Sequence, residues 1–248
     1  MPSLFRLHAV FIASLYDVLM KTSTKYIALA IVGVILSTSF IQMQTEGATK
    51  EKSDVVQAAA VTASKEPQLP LKGKMIVLDP GHGGKDVGSI GGAGTYEKEV
   101  TLQTAQHIGR KLTEQGATVV MTRQADTTIS LKGRTEVAQT AHADLFISIH
   151  YDAFQSSDVY GMTTYYNKPQ DREIARIIHD KLFRQDIQTK DRGVQFGDYH
   201  VIRENATPAV LLELGYISNE DEEARMKTES FQEQIATAIV NGVIEGLR

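Results

Sequence analysis

Short apolar runs alternate with stretches of helical periodicity from Lys74 to the C-terminus. Apolar runs of about four to eight residues are typical of buried strands, and apolar residues three or four positions apart are typical of helices. Strands are predicted at Met75–Leu78, Thr118–Met121, Leu145–Ile149, Gly161–Tyr166, His200–Arg203 and Ala209–Leu214, and helices at Glu97–Gln115, Leu131–Ala141, Arg172–Phe183 and Phe231–Leu247. The β-α-β-α-β order at the start implies parallel strands with right-handed crossovers. We therefore predict one α/β domain over residues 73–248.

The longest apolar stretch, Tyr26–Met43, precedes this domain and contains no charged residue. Lys21 and Lys25 come before it, as in the positively charged region of a secretory signal peptide. The stretch is also about long enough to span a bilayer once, so residues 1–43 are predicted to be either a cleaved signal or an uncleaved anchor. A buried core helix is disfavoured, because the polar segment that follows offers nothing to pack against. Either reading predicts an exported protein.

Residues 1–19 fit poorly as the start of a signal peptide, because they place a second apolar patch before the first. Residues 20–25, which contain two lysines and no acid, would form a conventional signal start. We therefore hypothesise that translation begins at Met20. Residues 44–72 are polar, rich in Ala, Lys and Glu, and show no sustained period, which predicts a flexible linker.

Composition narrows the chemistry that the domain can carry. The net charge is −4 with both signs mixed along the chain, which gives no basic stripe for a nucleic-acid partner. The chain contains no cysteine, so disulfides and thiolate metal sites are excluded. A metal could be held only by histidine and carboxylate side chains.

A glycine-rich loop follows the first predicted strand and carries His82. Asp79-Pro80-Gly81 ends the strand, because proline is unsuited to a central strand and glycine permits a sharp turn. A lone histidine after a strand is usually a surface residue or a hydrogen-bonded one. A functional role for His82 therefore requires partners from other segments.

Three ionisable residues are predicted at the same rim of the sheet as His82. His150 directly follows the strand Leu145–Ile149, Glu213 lies near the end of Ala209–Leu214, and Glu97 begins the first helix. Ligands in open α/β sheets bind beyond the carboxyl ends of the strands. Glu97 alone, next to Lys98, would be read as part of a solvated helix, whereas a carboxylate among the apolar neighbours of Glu213 is costly to bury without a partner.

Two histidines, a carboxylate and an open fourth position make a catalytic zinc site. A further carboxylate can take a proton from water and return it to a leaving amine. This inventory of two His and two Glu is what metal-assisted amide hydrolysis requires. The remaining histidines are predicted to be structural or exposed, namely His8, His107, His142, His179 and His200.

Four motifs carry a resemblance to a known family. They are Val77–Asp86 (VLDPGHGGKD), Tyr96–Lys98 (YEK), Ser148–His150 (SIH) and Pro208–Asn219 (PAVLLELGYISN). In this order they resemble the zinc-dependent N-acetylmuramoyl-L-alanine amidases of the family 3 type, from about Lys74 to the C-terminus. Further matches to the pattern of that family fall on Thr122-Arg123, Leu131, Arg134 and Ala143–Phe146.

The resemblance implies a twisted, mostly parallel sheet flanked by helices on both faces. It implies one Zn²⁺, with ligands at His82, Glu97 and His150, and a catalytic carboxylate at Glu213. The implied substrate is peptidoglycan, cut between the lactyl group of N-acetylmuramic acid and L-alanine of the stem peptide. The implied site of action is the extracellular cell wall or the outer face of the cytoplasmic membrane, and we expect a monomer.

Two positions depart from the pattern of the family. Asp152 stands where the family usually has Asn, and Gln139 also replaces a usual Asn. Neither is an implied ligand, so the metal site should survive, while the charge of Asp152 could alter substrate preference. Two alternatives stay open from sequence: a non-catalytic wall-binding or regulatory module, and a zinc peptidase that cuts peptide–peptide bonds of the wall.

Overall fold

The computed structural model describes residues 20–21 and 69–248. Its strands are β1 (Met75–Pro80), β2 (Thr118–Met121), β3 (Leu145–Asp152), β4 (Met162–Tyr166), β5 (Asp191–Phe196) and β6 (Ala209–Tyr216). Its helices are α1 (Glu97–Glu114), α2 (Leu131–Thr140), α3 (Arg172–Phe183), α4 (His200–Arg203), α5 (Glu220–Met226) and α6 (Glu229–Gly246), with a single 3₁₀ turn at Pro169–Asp171.

The predicted signal or anchor, Tyr26–Met43, lies outside the described residues. Within the described ranges, no helix is both long and apolar enough to cross a bilayer. Leu71, at the end of the predicted linker, is buried in the core, and its amide donates a 2.9 Å hydrogen bond to the Gln115 carbonyl. Leu71 therefore packs as part of the domain, although it precedes residue 73.

The six strands form one sheet in the order β2-β1-β3-β6-β4-β5. Strands β2, β1, β3 and β6 run parallel, β4 is antiparallel to β6, and β5 is parallel to β4. The prediction of a mostly parallel α/β sheet is confirmed. The carboxyl ends of β1, β3 and β6, which are neighbours, consequently lie at one rim.

The two faces of the sheet are covered unequally. One face carries the larger apolar core, to which α1, α3 and α6 contribute, and α6 packs on both of the other two helices. The opposite face carries a smaller core with α2 and the four-residue α4. Helices on both faces were predicted, and the thin second layer leaves part of its face open.

The open part of that face is where the strands change from apolar to polar side chains. Alternate residues of a strand share a face, so Asp79 follows Val77 on the small-core side of β1. On β3, Phe146 is followed by Ser148 and then by His150 on this same side. Neighbours in register share a face too, and His150 is in register with Glu213 of β6. The alternation therefore delivers a row of polar groups to the uncovered rim.

The prediction of an edge strand at His200–Arg203 is wrong, because these residues form α4. Val201 and Ile202 are β-branched, which favours strands, but burying both against α2 and β6 is compatible with a single helical turn. The edge strand beside β4 is β5, which the sequence did not indicate. Its residues, DRGVQF, are largely polar and partly exposed, so no apolar run marks it.

Candidate metal centre and catalytic cleft

His82, Glu97 and His150 meet at the rim of the sheet. Each offers one potential ligand atom, and these atoms all lie within 4.8 Å of one another. Glu97 Oε1 lies 3.1 Å from His82 Nε2 and 3.0 Å from His150 Nδ1. The two imidazole rings are edge to face, with centroids 4.9 Å apart. Three segments that are distant in sequence thus converge on one point.

His82 is presented by the turn that follows β1. Its backbone has φ +60°, a left-handed conformation that is uncommon for residues other than glycine. Asp86 Oδ2 lies 2.9 Å from His82 Nδ1 and orients the ring so that Nε2 faces Glu97. Burial lowers the pKa of His82, but the hydrogen bonds with Glu97 and Asp86 outweigh it, so the net pKa is raised.

Glu97 is the first residue of α1 and is 3% exposed, so its carboxylate needs internal partners. Its Oε2 accepts a 2.9 Å hydrogen bond from the Ser89 amide, and its Oε1 accepts one of 3.1 Å from the Tyr151 amide. Burial disfavours the ionised form, yet the hydrogen bonds from His150 and His82 prevail and hold the pKa of Glu97 well below its ordinary value. The side chain is therefore a buried, ionised carboxylate and not part of a solvated helix face.

Glu213 lies on β6 beside this group and is 7% exposed. Its Oε2 is buried without a hydrogen-bond partner among the described residues. Burial, together with the charges of Glu97 and Asp152, raises the pKa of Glu213 well above its ordinary value. A carboxyl group that is buried, unpaired and raised in pKa is typical of a residue that exchanges protons.

An open cleft of 370 Å³ lies beside the metal centre. His82, His150 and Glu213 contribute to its lining, together with residues at the start of α2 and in α4. Leu131 and Tyr199, both more than a third exposed, give the cleft apolar surface next to its polar centre. The cleft therefore gives access to His82, His150 and Glu213.

Supporting residues around the site were not assigned roles from sequence. Asp86 orients His82, while Arg123 and Arg134 donate hydrogen bonds to the turn that carries it. The matched family motifs contained these positions, but their contacts depend on distances between remote segments. Among the other histidines, His179 is buried between Thr164 and Asp191, as expected for a structural residue.

His107 and His142 also lie away from the metal centre. His107 Nδ1 of α1 lies 2.5 Å from Glu233 Oε1 of α6. His142 follows α2 with φ +50°. His200, however, lines the cleft, which its predicted place on an edge strand did not indicate. His8 is outside the described residues.

The donor set fits a small divalent cation. In a tetrahedral zinc site the ligand atoms are about 2.0–2.2 Å from the metal, and hence about 3.3 Å apart. The 3.0 and 3.1 Å separations that involve Glu97 agree with this spacing. Imidazole nitrogens and a carboxylate are ligands that zinc accepts.

The family model of N-acetylmuramoyl-L-alanine amidases matches residues 76–245. The probable cell wall amidase LytH of Staphylococcus aureus is 41% identical over 176 residues, which are 70% of this chain and 58% of LytH. The chain thus spans somewhat more than half the length of that relative.

Solved amidase structures share the fold. The catalytic domain of CwlV from Bacillus (Paenibacillus) polymyxa var. colistinus is 39% identical with a TM-score of 0.66, over 70% of this chain and 98% of that one. For the amidase AmiC2 of Nostoc punctiforme the identity is 32% and the TM-score 0.68, over 70% and 97% of the two chains. With its sheet, its rim and its motifs in the same order, the chain belongs to the N-acetylmuramoyl-L-alanine amidase family.

Proposed function

We propose that the chain is a zinc-dependent amidase that cuts peptidoglycan between the lactyl group of N-acetylmuramic acid and the L-alanine of the stem peptide. The observation that carries this proposal is the convergence of His82, Glu97 and His150 beside buried Glu213. Family membership supports the bond and the substrate. The donor set supports the metal.

The two imidazoles and the carboxylate of Glu97 would hold the ion and leave its fourth position free. A bound zinc ion would supply Lewis acidity, which polarises a carbonyl and makes water a stronger acid. The low pKa of Glu97 keeps this ligand ionised. The amides of Ser89 and Tyr151 fix its two oxygens.

Glu213 performs the proton transfers. Its carboxylate takes a proton from the attacking water as the water oxygen bonds to the lactyl carbonyl carbon. When the carbon–nitrogen bond breaks, the same group returns the proton to the alanine nitrogen, which leaves as a free amine. The buried Oε2, which has no partner in the described part of the chain, is the atom available for this exchange.

The likeness to a probable cell wall amidase supports a peptidoglycan partner outside the cytoplasm. We propose that residues 1–43 export the chain and, if they are not cleaved, tether it to the membrane, with residues 44–72 as a linker to the catalytic domain at 73–248. The enzyme then acts in the extracellular cell wall or at the outer face of the cytoplasmic membrane. We propose that it works as a monomer.

Glu213→Gln tests the assigned roles. This variant should keep the fold and bind zinc, because Glu213 is not a ligand, while peptide release from purified peptidoglycan should fall by about 10²-fold or more. Glu136→Gln is the control, since it removes an exposed carboxylate of α2 that pairs with Lys132 outside the cleft lining, and it should retain cleavage. Near-normal release by Glu213→Gln, measured by quantifying soluble peptides, would refute the assigned role.

A further inference from the structure

The turn that carries His82 needs an external support. His82 is followed by Gly83 at φ +129° and Gly84 at φ +61°, so three consecutive residues have positive φ. Glycine adopts such conformations readily, whereas a histidine does so at an energetic cost. A backbone of this kind persists only where surrounding contacts determine it.

Two guanidinium groups supply these contacts to three consecutive carbonyls. Arg134 donates to the Pro80 carbonyl at 2.8 Å and to the His82 carbonyl at 2.7 Å. Arg123 donates to the Pro80 carbonyl at 3.0 Å and to the Gly81 carbonyl at 2.7 Å. Both arginines are buried, so these charge-assisted bonds are shielded from solvent.

Arg134 is itself held by a buried acid. Its Nη1 lies 2.7 Å from Oδ1 of Asp79, which is fully buried on β1. Asp79 also accepts hydrogen bonds from Thr122 at 2.6 Å and Ser148 at 2.8 Å, so the carboxylate cannot shift easily. The guanidinium fork therefore joins a fixed point inside the sheet to the backbone of His82.

Arg123 makes a second set of contacts that Arg134 does not make. Its Nη2 also donates to the Lys98 carbonyl at 2.8 Å and to Thr101 Oγ1 at 3.1 Å, which connects the turn to α1. Arg134 alone of the two contacts the carbonyl of His82, and it lines the cleft. The two arginines thus join the turn to different elements, Arg134 to β1 and Arg123 to α1.

We propose that Arg134 is a positioning residue, which holds His82 in its left-handed conformation so that the metal ligand is in place before a metal binds. This inference rests on the proposed metal centre. Lysine cannot replace arginine here, because a single ammonium group lacks the planar fork that reaches Asp79 and the His82 carbonyl together. Loss of Arg134 should therefore lower the affinity for the metal as well as the stability of the fold.

Arg134→Lys in the full chain tests the proposal. The dissociation constant for zinc, measured by competition with a chromogenic chelator, should rise by about tenfold or more, as found when groups that orient metal ligands are removed. The spectrum of the cobalt-substituted variant should also change, because the ligand geometry relaxes. A merely structural role of Arg134 would leave both readouts unchanged once the protein is folded.

Lys168→Met is the matched control. Lys168 Nζ also donates to two carbonyls, those of Asn205 and Thr207, at 2.7 and 2.8 Å, and lies 3.1 Å from the buried Asp171. These carbonyls precede β6, at the opposite end from Glu213, so this variant should lose stability but keep its zinc affinity within about twofold.

A second variant keeps the test informative if Arg134→Lys fails to fold. Asp79→Asn combined with Arg134→Met removes both members of the buried ion pair, so neither charge is left without the other, and it too should bind zinc about tenfold more weakly. Wild-type zinc affinity in Arg134→Lys, or an equal loss in Lys168→Met, would overturn the positioning role alone. Absence of zinc binding by the wild-type chain would overturn the metal centre and this inference with it.

Discussion

At the scale of single residues, two glycines let backbone lie directly against the side chains of the site. A Cβ on Gly81 would lie 2.3 Å from Cε1 of the His150 ring. A Cβ on Gly88 would lie 2.7 Å from both Glu97 Oε2 and His82 Cδ2. Any larger residue at either position must displace a proposed metal ligand.

Gly81→Ala should therefore abolish or strongly weaken metal binding. The methyl group would push His150 away from Glu97, and we expect zinc affinity to fall by about tenfold or more. Gly92→Ala is the control, because its added Cβ would meet only Glu223 Oε2, at an ordinary 3.8 Å. Metal analysis after dialysis measures the effect, and a Gly81→Ala variant that retains wild-type zinc content would contradict it.

The site residues were predictable because each lies at the end or start of an element. His82 and His150 follow apolar runs, and parallel strands deliver such positions to one rim. The supporting contacts were not predictable in the same way. Arg134 reaches the His82 carbonyl across 52 positions of sequence, and nothing in local periodicity indicates that distance.

At the scale of elements, periodicity located helices and buried strands well and exposed ones poorly. The bounds predicted for β2 and α3 agree with the structure, β3 continues past its apolar run through His150 to Asp152, and β6 continues two residues past Leu214 to Tyr216. Edge strand β5 and acidic helix α5 have too few apolar residues to be recognised. Residues His200–Arg203 form α4 and not the predicted strand. The prediction failed because two adjacent β-branched residues resemble a strand pattern.

The pairing of α1 with α6 should depend on pH through Glu233. This carboxylate lies 2.8 Å from Lys111 and 2.5 Å from His107, and also contacts Arg110. Hydrogen bonds from Lys111 and then His107 outweigh burial and lower the pKa of Glu233 to about 2. Since the folded pKa is below the unfolded one, the stabilisation is complete above about pH 4.5 and is lost as pH falls towards 2.

Glu233→Gln should accordingly lower the free energy of unfolding at pH 7 by about 0.5–1 kcal/mol, because the cluster is partly exposed. At pH 3 the difference from wild type should be smaller. Urea unfolding at both pH values measures it, with Glu136→Gln as a control that removes a more exposed pair with Lys132. A difference that stays constant between pH 7 and pH 3 would exclude the proposed ionic basis.

At the scale of the whole molecule, one face of the sheet holds most of the apolar core and the other face holds the proposed site. The face covered by α1, α3 and α6 contains most of the buried apolar residues, whereas the thinly covered face carries the polar rim. The fold class followed from the sequence, because the order of strands and helices permits few parallel topologies. The unequal thickness of the two helical layers could not be predicted from the sequence, because the residues of α4 were expected to form a strand.

Export should change which residue is at the N-terminus of the protein. We predict that the primary product begins at Met20 and that the exported form lacks Tyr26–Met43, because signal peptides are removed on export. N-terminal sequencing of the precursor and of the protein from the wall fraction tests both points. A precursor that begins at Met1 would remove the first hypothesis, and an exported form that retains the apolar stretch would favour an anchor.

Product analysis of purified peptidoglycan digested by the full chain, with and without a chelator, tests the central claim most directly. Mass spectrometry should find stem peptides with N-terminal alanine and muramic acid with a free lactyl carboxyl group. The chelator should abolish both products, and added zinc should restore them. Products that persist at full yield without metal, or peptides cut only at peptide–peptide bonds, would contradict the account.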